Sequence, residues 1–333
     1  MTNVPVMLLF FNRPDTLRQV FEAVRKAQPK QLFLVQDGAR ADRPDDPAKV
    51  QACREIVEQV DWPCEVYKNY ATENMSCDHR EFTGIDWCFE HVDRLMILED
   101  DCVPSQTFFR MCEELLEKYK DDDRIATISG FNRTQEYPSP YDYVFSMTNA
   151  GWGWATWKRF WDQVRENRDL DRLADTDYIR THWDPTDKSL VKTYGAKFIE
   201  QGLRCKALSE QTGKVNSWEY LVGFTMIMNH MLAITPTKNM SKYIGISADA
   251  THCHADVRIM PHKTRRVLTQ PHHEFDHPLR HPPQVVRDVQ FEEADRKAFR
   301  YPPYVANIEG MLLKLRYGDF TLIRQVILRR LKH

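Results

Sequence analysis

Three consecutive acids, Glu99-Asp100-Asp101, follow directly on the apolar run Leu95 to Leu98. Hard carboxylate oxygens at the end of a strand suit Mg²⁺ or Mn²⁺, which could bridge to a diphosphate and neutralise a departing nucleoside diphosphate. The competing explanation is a solvated loop start or a helix cap, because Asp101 to Gln106 precedes a helical pattern. Asp37 lies in a Gln-Asp-Gly turn after a second apolar run, Leu32 to Val35. A carboxylate there could accept hydrogen bonds from a uracil or a ribose, although Asp-Gly is also a common turn dipeptide. Arg13, in the break Asn12-Arg13-Pro14-Asp15, could pair with phosphate or with neighbouring carbonyls of a Pro-containing turn. Glu219 stands between Trp218 and Tyr220, an environment that raises a carboxylate pKa and suits a general base.

Trp152, Trp154, Trp157 and Trp161 crowd the segment Gly151 to Trp161. They offer flat apolar faces with polar N–H groups, which is how proteins often hold sugar rings. Trp154, Trp157 and Trp161 at i, i+3, i+7 equally fit one core-facing stripe of a helix. Cys64, Cys77 and Cys88 form no paired zinc pattern, and the histidines share no ligand spacing with cysteine pairs. His252, in Ala-Thr-His-Cys, could reach a metal or a diphosphate, or serve as a hydrogen-bonded loop residue.

The elements that must position these residues follow from periodicity. Val4 to Phe11 is a continuous apolar run of the kind that forms a strand buried on both faces of a parallel sheet. Thr16 to Ala27 places Leu17, Val20, Phe21 and Val24 at helical spacing, and Leu32 to Val35 supplies the next strand. A helix carrying Val50, Cys53, Ile56 and Val57 follows, then a strand at Cys64 to Tyr67, a helix around Ile85 to Val92 and the strand Leu95 to Leu98. Gln106 to Tyr119 reads as a helix, Ile125 to Ser129 as a strand, Tyr178 to Leu208 as a helical, polar stretch and Ala233 to Thr235 as a strand. Strands alternating with helices predict a parallel α/β sheet, in which ligands bind beyond the carboxyl ends of the strands. Arg13, Asp37 and the acidic triplet all occupy such ends.

From His252 onward lie eight of the twelve histidines, together with many prolines. The pattern therefore predicts a core domain over 1–255 and an extension over 256–333 that begins as an extended wrap. The extension ends in helical periodicity from Asn307 to His333, where six Lys and Arg against two acids make a basic, amphipathic face. Two explanations fit that face: docking on an anionic bilayer, or packing against the core or a twin subunit in a homo-oligomer.

Composition narrows the function. With 46 Lys and Arg against 48 Asp and Glu, a net charge of −2 supplies no field to hold a nucleic acid backbone. The eight cysteines are irregularly spaced in a chain able to bury a large core, which predicts reduced thiols and a cytoplasmic protein. The early apolar run is too short for a signal peptide core, and no segment reaches the roughly 18 to 20 apolar residues of a membrane span.

Taken in order, these junctions resemble the nucleotide-sugar glycosyltransferases of GT-A fold, in particular the N-acetylglucosaminyltransferase I family and its bacterial relatives. The resemblance runs from Pro5-Val6 and Asn12-Arg13 through Phe33-Leu34-Val35-Gln36-Asp37-Gly38, and centres on Ile97-Leu98-Glu99-Asp100-Asp101-Cys102-Val103-Pro104 with Phe108-Phe109. It continues through Gly151-Trp152-Gly153-Trp154 and Trp218-Glu219-Tyr220 to Ile234-Thr235-Pro236, Tyr243-Ile244-Gly245 and Thr251-His252. It implies a Rossmann-like, mostly parallel sheet with flanking helices. It further implies a UDP-sugar donor, with N-acetylglucosamine as the sugar, and a glycan or lipid-linked acceptor of the kind used in bacterial surface polysaccharide synthesis.

By the same resemblance, Arg13 and Asp37 contact the nucleotide, Glu99 and Asp100 face the sugar and ribose, and Asp101 coordinates Mn²⁺ or Mg²⁺, with His252 as a further ligand. Asp78-His79-Arg80 stands where the family has His-Tyr-Arg, so Arg80 joins the nucleotide pocket and His79 is a weaker match. Trp154 falls in the sugar-binding segment. Glu219 takes the position of the catalytic base, where the family carries Asp, and the implied mechanism is a single inverting displacement. A sugar-nucleotide pyrophosphorylase would need a Gly-rich basic loop near the N-terminus, yet Phe10 to Thr16 contains no glycine, and no G-x-G-x-x-G follows the first strand as a dehydrogenase requires. The alternatives are a catalytically inactive carbohydrate-binding or scaffold protein of the same fold, or a sugar-nucleotide nucleotidyltransferase.

Overall fold

The computed structural model describes residues 1–148, 151–168, 170–183, 187, 195–246, 256–302 and 304–318. Its centre is an eight-stranded sheet. The strands are β1 (Val6–Phe10), β2 (Gln31–Gln36), β3 (Glu65–Tyr70), β4 (Arg94–Glu99), β6 (Ile125–Ser129), β7 (Tyr143–Ser146), β8 (Trp154–Trp157) and β9 (Leu232–Pro236), in the order β3-β2-β1-β4-β8-β6-β9-β7. β5 (Cys102–Pro104) and β10 (Ser241–Tyr243) form a separate two-stranded ladder. β1 to β4 are mutually parallel, β8 runs antiparallel to both β4 and β6, β9 is parallel to β6, and β7 closes the edge antiparallel to β9. The fold is therefore a Rossmann-like α/β sheet, mixed but mostly parallel, as the alternation of apolar runs and helical segments predicts.

The helices cover the faces of this sheet: α1 (Pro14–Ala27), α2 (Asp46–Val57), α3 (Cys77–Cys88), α4 (Gln106–Lys118), α5 (Lys158–Glu166), the short α6 (Asp171–Ala174) and α7 (Thr176–His182), then α8 (Gly195–Thr212) and α9 (Trp218–Met228). Every residue of β1 is buried, which fits its place in the middle of the sheet. α1 buries Leu17, Val20, Phe21 and Val24 along one stripe. Pro14 starts it, since a fixed φ and a missing N–H cost nothing in the first turn.

Register decides where the chemistry lies. Phe10 pairs with Gln36 and Leu9 with Glu99, so β1, β2 and β4 end side by side. The residues that follow them, Arg13, Asp37 and Asp100-Asp101, therefore emerge on one edge of the sheet. Two expectations need correction here. α3 begins at Cys77 rather than near Ile85, which places Asp78, Arg80 and Glu81 on a helix. Trp154 and Trp157 do not share a helical face with Trp161: they lie in β8, where odd spacing sends their side chains to opposite faces, while Trp161 belongs to α5.

Beyond residue 256 the extension comprises α10 (His262–Leu268), α11 (Val289–Phe299) and α12 (Val305–Arg316), with an irregular stretch over 269–288 laid on the core. Glu274 in this stretch accepts hydrogen bonds from Gln106 N at 2.9 Å, Thr107 N at 2.7 Å and Thr107 Oγ1 at 2.6 Å, capping α4 from outside. Arg280 pairs with Asp142 at 2.5 Å, and Glu292 Oε1 accepts from Met147 N at 2.8 Å. Among the described residues no helix is long and apolar enough to cross a membrane. Most of the expected basic helix beyond Arg316 lies outside the described residues.

Candidate active site

A cleft of about 250 Å³ opens at the carboxyl ends of β1, β2 and β4, with Phe11, Arg13, Asp37, Arg40, Arg80 and Asp100 in its lining. Asp37 is more than a turn residue. Its Oδ1 accepts from Gly38 N at 2.9 Å and Met75 N at 2.8 Å, and its Oδ2 accepts from Asn74 Nδ2 at 2.9 Å, so it pins the loop leading to α3. Burial pushes its pKa up against these bonds. Gly38 is required by space, since a Cβ on it would stand 2.4 Å from the backbone carbonyl carbon of Glu73. Arg80 reaches back from α3 to donate to Gln36 O at 3.0 Å and to Asn69 O and Oδ1 at 2.5 and 2.9 Å, tying the ends of β2 and β3 together.

Arg13 links the two sides of the cleft. Its guanidinium bonds Asp100 through Nη2 and Asp101 Oδ2 through Nη1 at 2.7 Å, while Phe11 N donates to Asp100 Oδ2 at 3.1 Å. Burial alone would lower the Arg13 pKa, and the two carboxylates more than reverse it. Burial pushes Asp100 up to about 6, with Arg13 opposing the rise. One cation against two acids leaves this cluster with an excess of negative charge.

Glu99 and Cys77 line both the cleft and a larger cavity of about 680 Å³ bounded by α3, α8, α9 and the extension helix α11. Its lining includes Asp78, Glu81, Trp152, Trp218 and Glu219 from the core, with Asp295, Arg296 and Arg300 on the side of the extension. Glu219, in the first turn of α9, is exposed to the cavity. The protein crowded around it, with the charge of Asp78, pushes its pKa up to about 7. Glu99 is shifted well upward by burial and by the charges of Asp101 and Glu219. A carboxyl poised near neutrality, beside a cleft with room for a nucleotide, can take a proton from a hydroxyl at physiological pH.

The structure thus brings together Arg13, Asp37, Arg80, Glu99 and Asp100 around one cleft and sets Glu219 in the adjoining cavity. Trp154 departs from expectation. It is fully buried and stacked on Trp218 with ring centroids 5.4 Å apart, so it supports the cavity wall, and Trp152 and Trp218 are the tryptophans that line the cavity. Trp157 and Trp161 are also core residues. His79 lies outside the lining of the cleft, where its Nδ1 accepts from Val215 N at 3.2 Å.

Asp101, expected to ligate Mn²⁺ or Mg²⁺, is buried. Its Oδ2 is bonded to Arg13, its Oδ1 lies 3.3 Å from Cys102 Sγ, and a Cβ on Gly245 would stand 2.2 Å from Oδ2. No three His, Cys, Asp or Glu side chains converge as a metal site among the described residues. His252 lies outside the described residues. The residue that sequence reasoning missed is Glu81. The available signal was its spacing, three after Asp78 and four after Cys77, which shares a face only if the helix begins at Cys77.

No family model and no curated protein matches this sequence. Among solved structures, a UDP-glucose pyrophosphorylase complexed with UDP-glucose overlaps 72% of this chain and 92% of its own at 8% identity, with a TM-score of 0.34. The 4-diphosphocytidyl-2C-methyl-D-erythritol synthase of Anaerococcus prevotii overlaps 57% of this chain and 82% of its own at 10% identity and a TM-score of 0.32. A cytidylyltransferase of Leptospira borgpetersenii overlaps 50% and 65% at 10% identity and a TM-score of 0.29. The functional argument rests on the site.

Proposed function

We propose that this chain is an inverting glycosyltransferase that uses a nucleotide-sugar donor, with Glu219 as its general base. The observation that carries this reading is the shared wall. A cleft lined by Arg13, Asp37 and Arg80 shares Glu99 and Cys77 with a cavity that holds a carboxyl whose pKa is pushed up to about 7. The nucleotide occupies the cleft, where Asp37 and its loop meet the base or ribose, and the sugar lies across Glu99. An acceptor hydroxyl in the larger cavity attacks the anomeric carbon while Glu219 takes its proton, and the bond to the diphosphate oxygen breaks with its electron pair leaving on the nucleotide. Inversion follows from the single displacement.

The resemblance on the sequence names UDP as the nucleotide, N-acetylglucosamine as the sugar, and a glycan or lipid-linked hydroxyl as the acceptor. The corresponding test is calorimetric titration of UDP, CDP, GDP and ADP. Wild-type protein is expected to bind UDP in preference to the others, and Asp37→Asn to bind it at least about tenfold more weakly through lost charge-assisted bonds. Absence of nucleotide binding in the wild type would overturn the reading in favour of a carbohydrate-binding scaffold.

A further inference from the structure

Glu81 has no role in the mechanism above, yet it is a buried acid with an unpartnered oxygen. It stands on α3 in the wall of the large cavity, is 1% exposed, and its Oε1 is buried without a hydrogen-bond partner. Glu99, Glu219 and Asp78 line the same space, and no Lys or Arg is bonded to any of these four acids among the described residues. Elsewhere buried acids are satisfied: Asp46, for example, takes Arg40 at 2.6 Å and Asn12 at 2.7 Å. A buried carboxyl oxygen without a partner is costly, so a ligand that completes it is the simplest reason for its presence.

Its position is fixed rather than accidental. Arg80, one residue earlier, is bonded to Gln36 and Asn69, and Gly84, three residues later, lies so close to β2 that a Cβ would stand 2.6 Å from Val35 Cγ1. Both contacts hold α3 tightly against the sheet and set Glu81 at one place in the cavity wall. The four acids do not converge as metal ligands among the described residues. A ligand rich in hydroxyls suits these acids and the arginines Arg296 and Arg300 across the same cavity, and the half-buried Trp152 beside them offers an apolar ring against which a sugar packs.

We propose that Glu81 recognises a sugar, its carboxyl forming a hydrogen bond with a ring hydroxyl of a pyranose seated in the large cavity. This rests on the glycosyltransferase reading and assigns it a specificity residue. The pyranose is that of the donor or that of the acceptor, and the experiment separates the two. UDP, UDP-glucose, UDP-N-acetylglucosamine and, in the presence of UDP, methyl β-D-glucopyranoside are titrated calorimetrically into wild-type protein and Glu81→Gln, with the melting temperature of each.

In the wild type at least one UDP-sugar is expected to bind more tightly than UDP, or the glycoside to bind the UDP complex. In Glu81→Gln, UDP affinity stays within about twofold while the sugar-dependent affinity falls about tenfold to a hundredfold. Loss of the UDP-sugar preference identifies the donor ring, and loss of glycoside binding identifies the acceptor ring. The melting temperature of the variant is expected to hold or rise, because glutamine removes a buried acid that has no partner. Equal sugar preferences in the two proteins, no sugar-dependent affinity in the wild type, or a variant that melts lower and loses UDP as well would each overturn the proposal. No binding of UDP to the wild type would instead remove the glycosyltransferase reading on which it rests.

Discussion

Replacing Arg13 with methionine keeps the apolar stem of the side chain and removes the cation that bonds Asp100 and Asp101. The two acids are 2% and 5% exposed, so the charge left behind is buried. Breaking a buried pair by deleting one partner costs about 3 to 5 kcal/mol. The Arg13 side chain is itself 20% exposed, so water screens one side of the pair, and the loss is placed near the lower end, about 3 kcal/mol. At roughly 2 to 4 °C per kcal/mol for a domain somewhat smaller than this one, the melting temperature should fall by about 6 to 12 °C.

The deficit must also depend on pH. Asp100 already titrates in the folded protein at about 6, above its ordinary value. Without Arg13 its folded pKa rises further, so the folded state binds more protons than the unfolded one from the ordinary carboxylate range upward. Stability of the variant then falls as pH increases, and the deficit is larger at pH 8 than at pH 5.5. Urea unfolding followed by tryptophan fluorescence at the two pH values measures it. A loss below about 1 kcal/mol at pH 8, or a deficit that grows on acidification, would refute the reasoning.

Two further substitutions probe how the site is held. Gly38→Ala should shift the backbone around Glu73, where the added Cβ would stand 2.4 Å from the carbonyl carbon, and weaken UDP binding at least about tenfold with a small loss of global stability; unchanged affinity would show that the Asp37 loop does not contact the nucleotide. Glu274→Ala removes the external cap of α4 and should cost about 1 to 2 kcal/mol at pH 7 in urea unfolding. Because the Glu274 pKa is held below its ordinary value, this contribution is present above the usual glutamate range and lost as pH falls through it, and a cost that persists at pH 3 would contradict the assignment.

What the sequence revealed, and what it concealed, has a physical pattern. β1, β2 and β4 are apolar runs buried at the centre of a parallel sheet, and a polar residue directly after such a run stands at the crevice by geometry alone. Arg13, Asp37 and the acidic triplet were legible for that reason. The pairing of Arg13 with Asp100 and Asp101 spans 87 and 88 residues of sequence, and no local pattern encodes it. α3 was misplaced because the face it turns to the cavity carries Cys77, Asp78 and Glu81, so apolar periodicity appears only in its later part, at Phe82, Ile85 and Cys88. Glu81 was lost with it. Trp154 and Trp157 read as helical from spacing, but tertiary pairing with β4 and β6 makes them a strand, an override that a three-residue interval between large apolar residues cannot reveal.

The most direct measurement of the central claim is donor turnover: release of nucleoside diphosphate from a panel of nucleotide sugars, with and without simple glycoside acceptors, by wild-type protein and Glu219→Gln across pH 5 to 9. The account predicts that the wild type turns over one donor with a rate that rises through about pH 7 as Glu219 loses its proton, and that Glu219→Gln loses turnover by about 10² to 10⁴ while binding the same nucleotide equally well. A variant as active as the wild type, or a rate that falls through the same pH window, would contradict it.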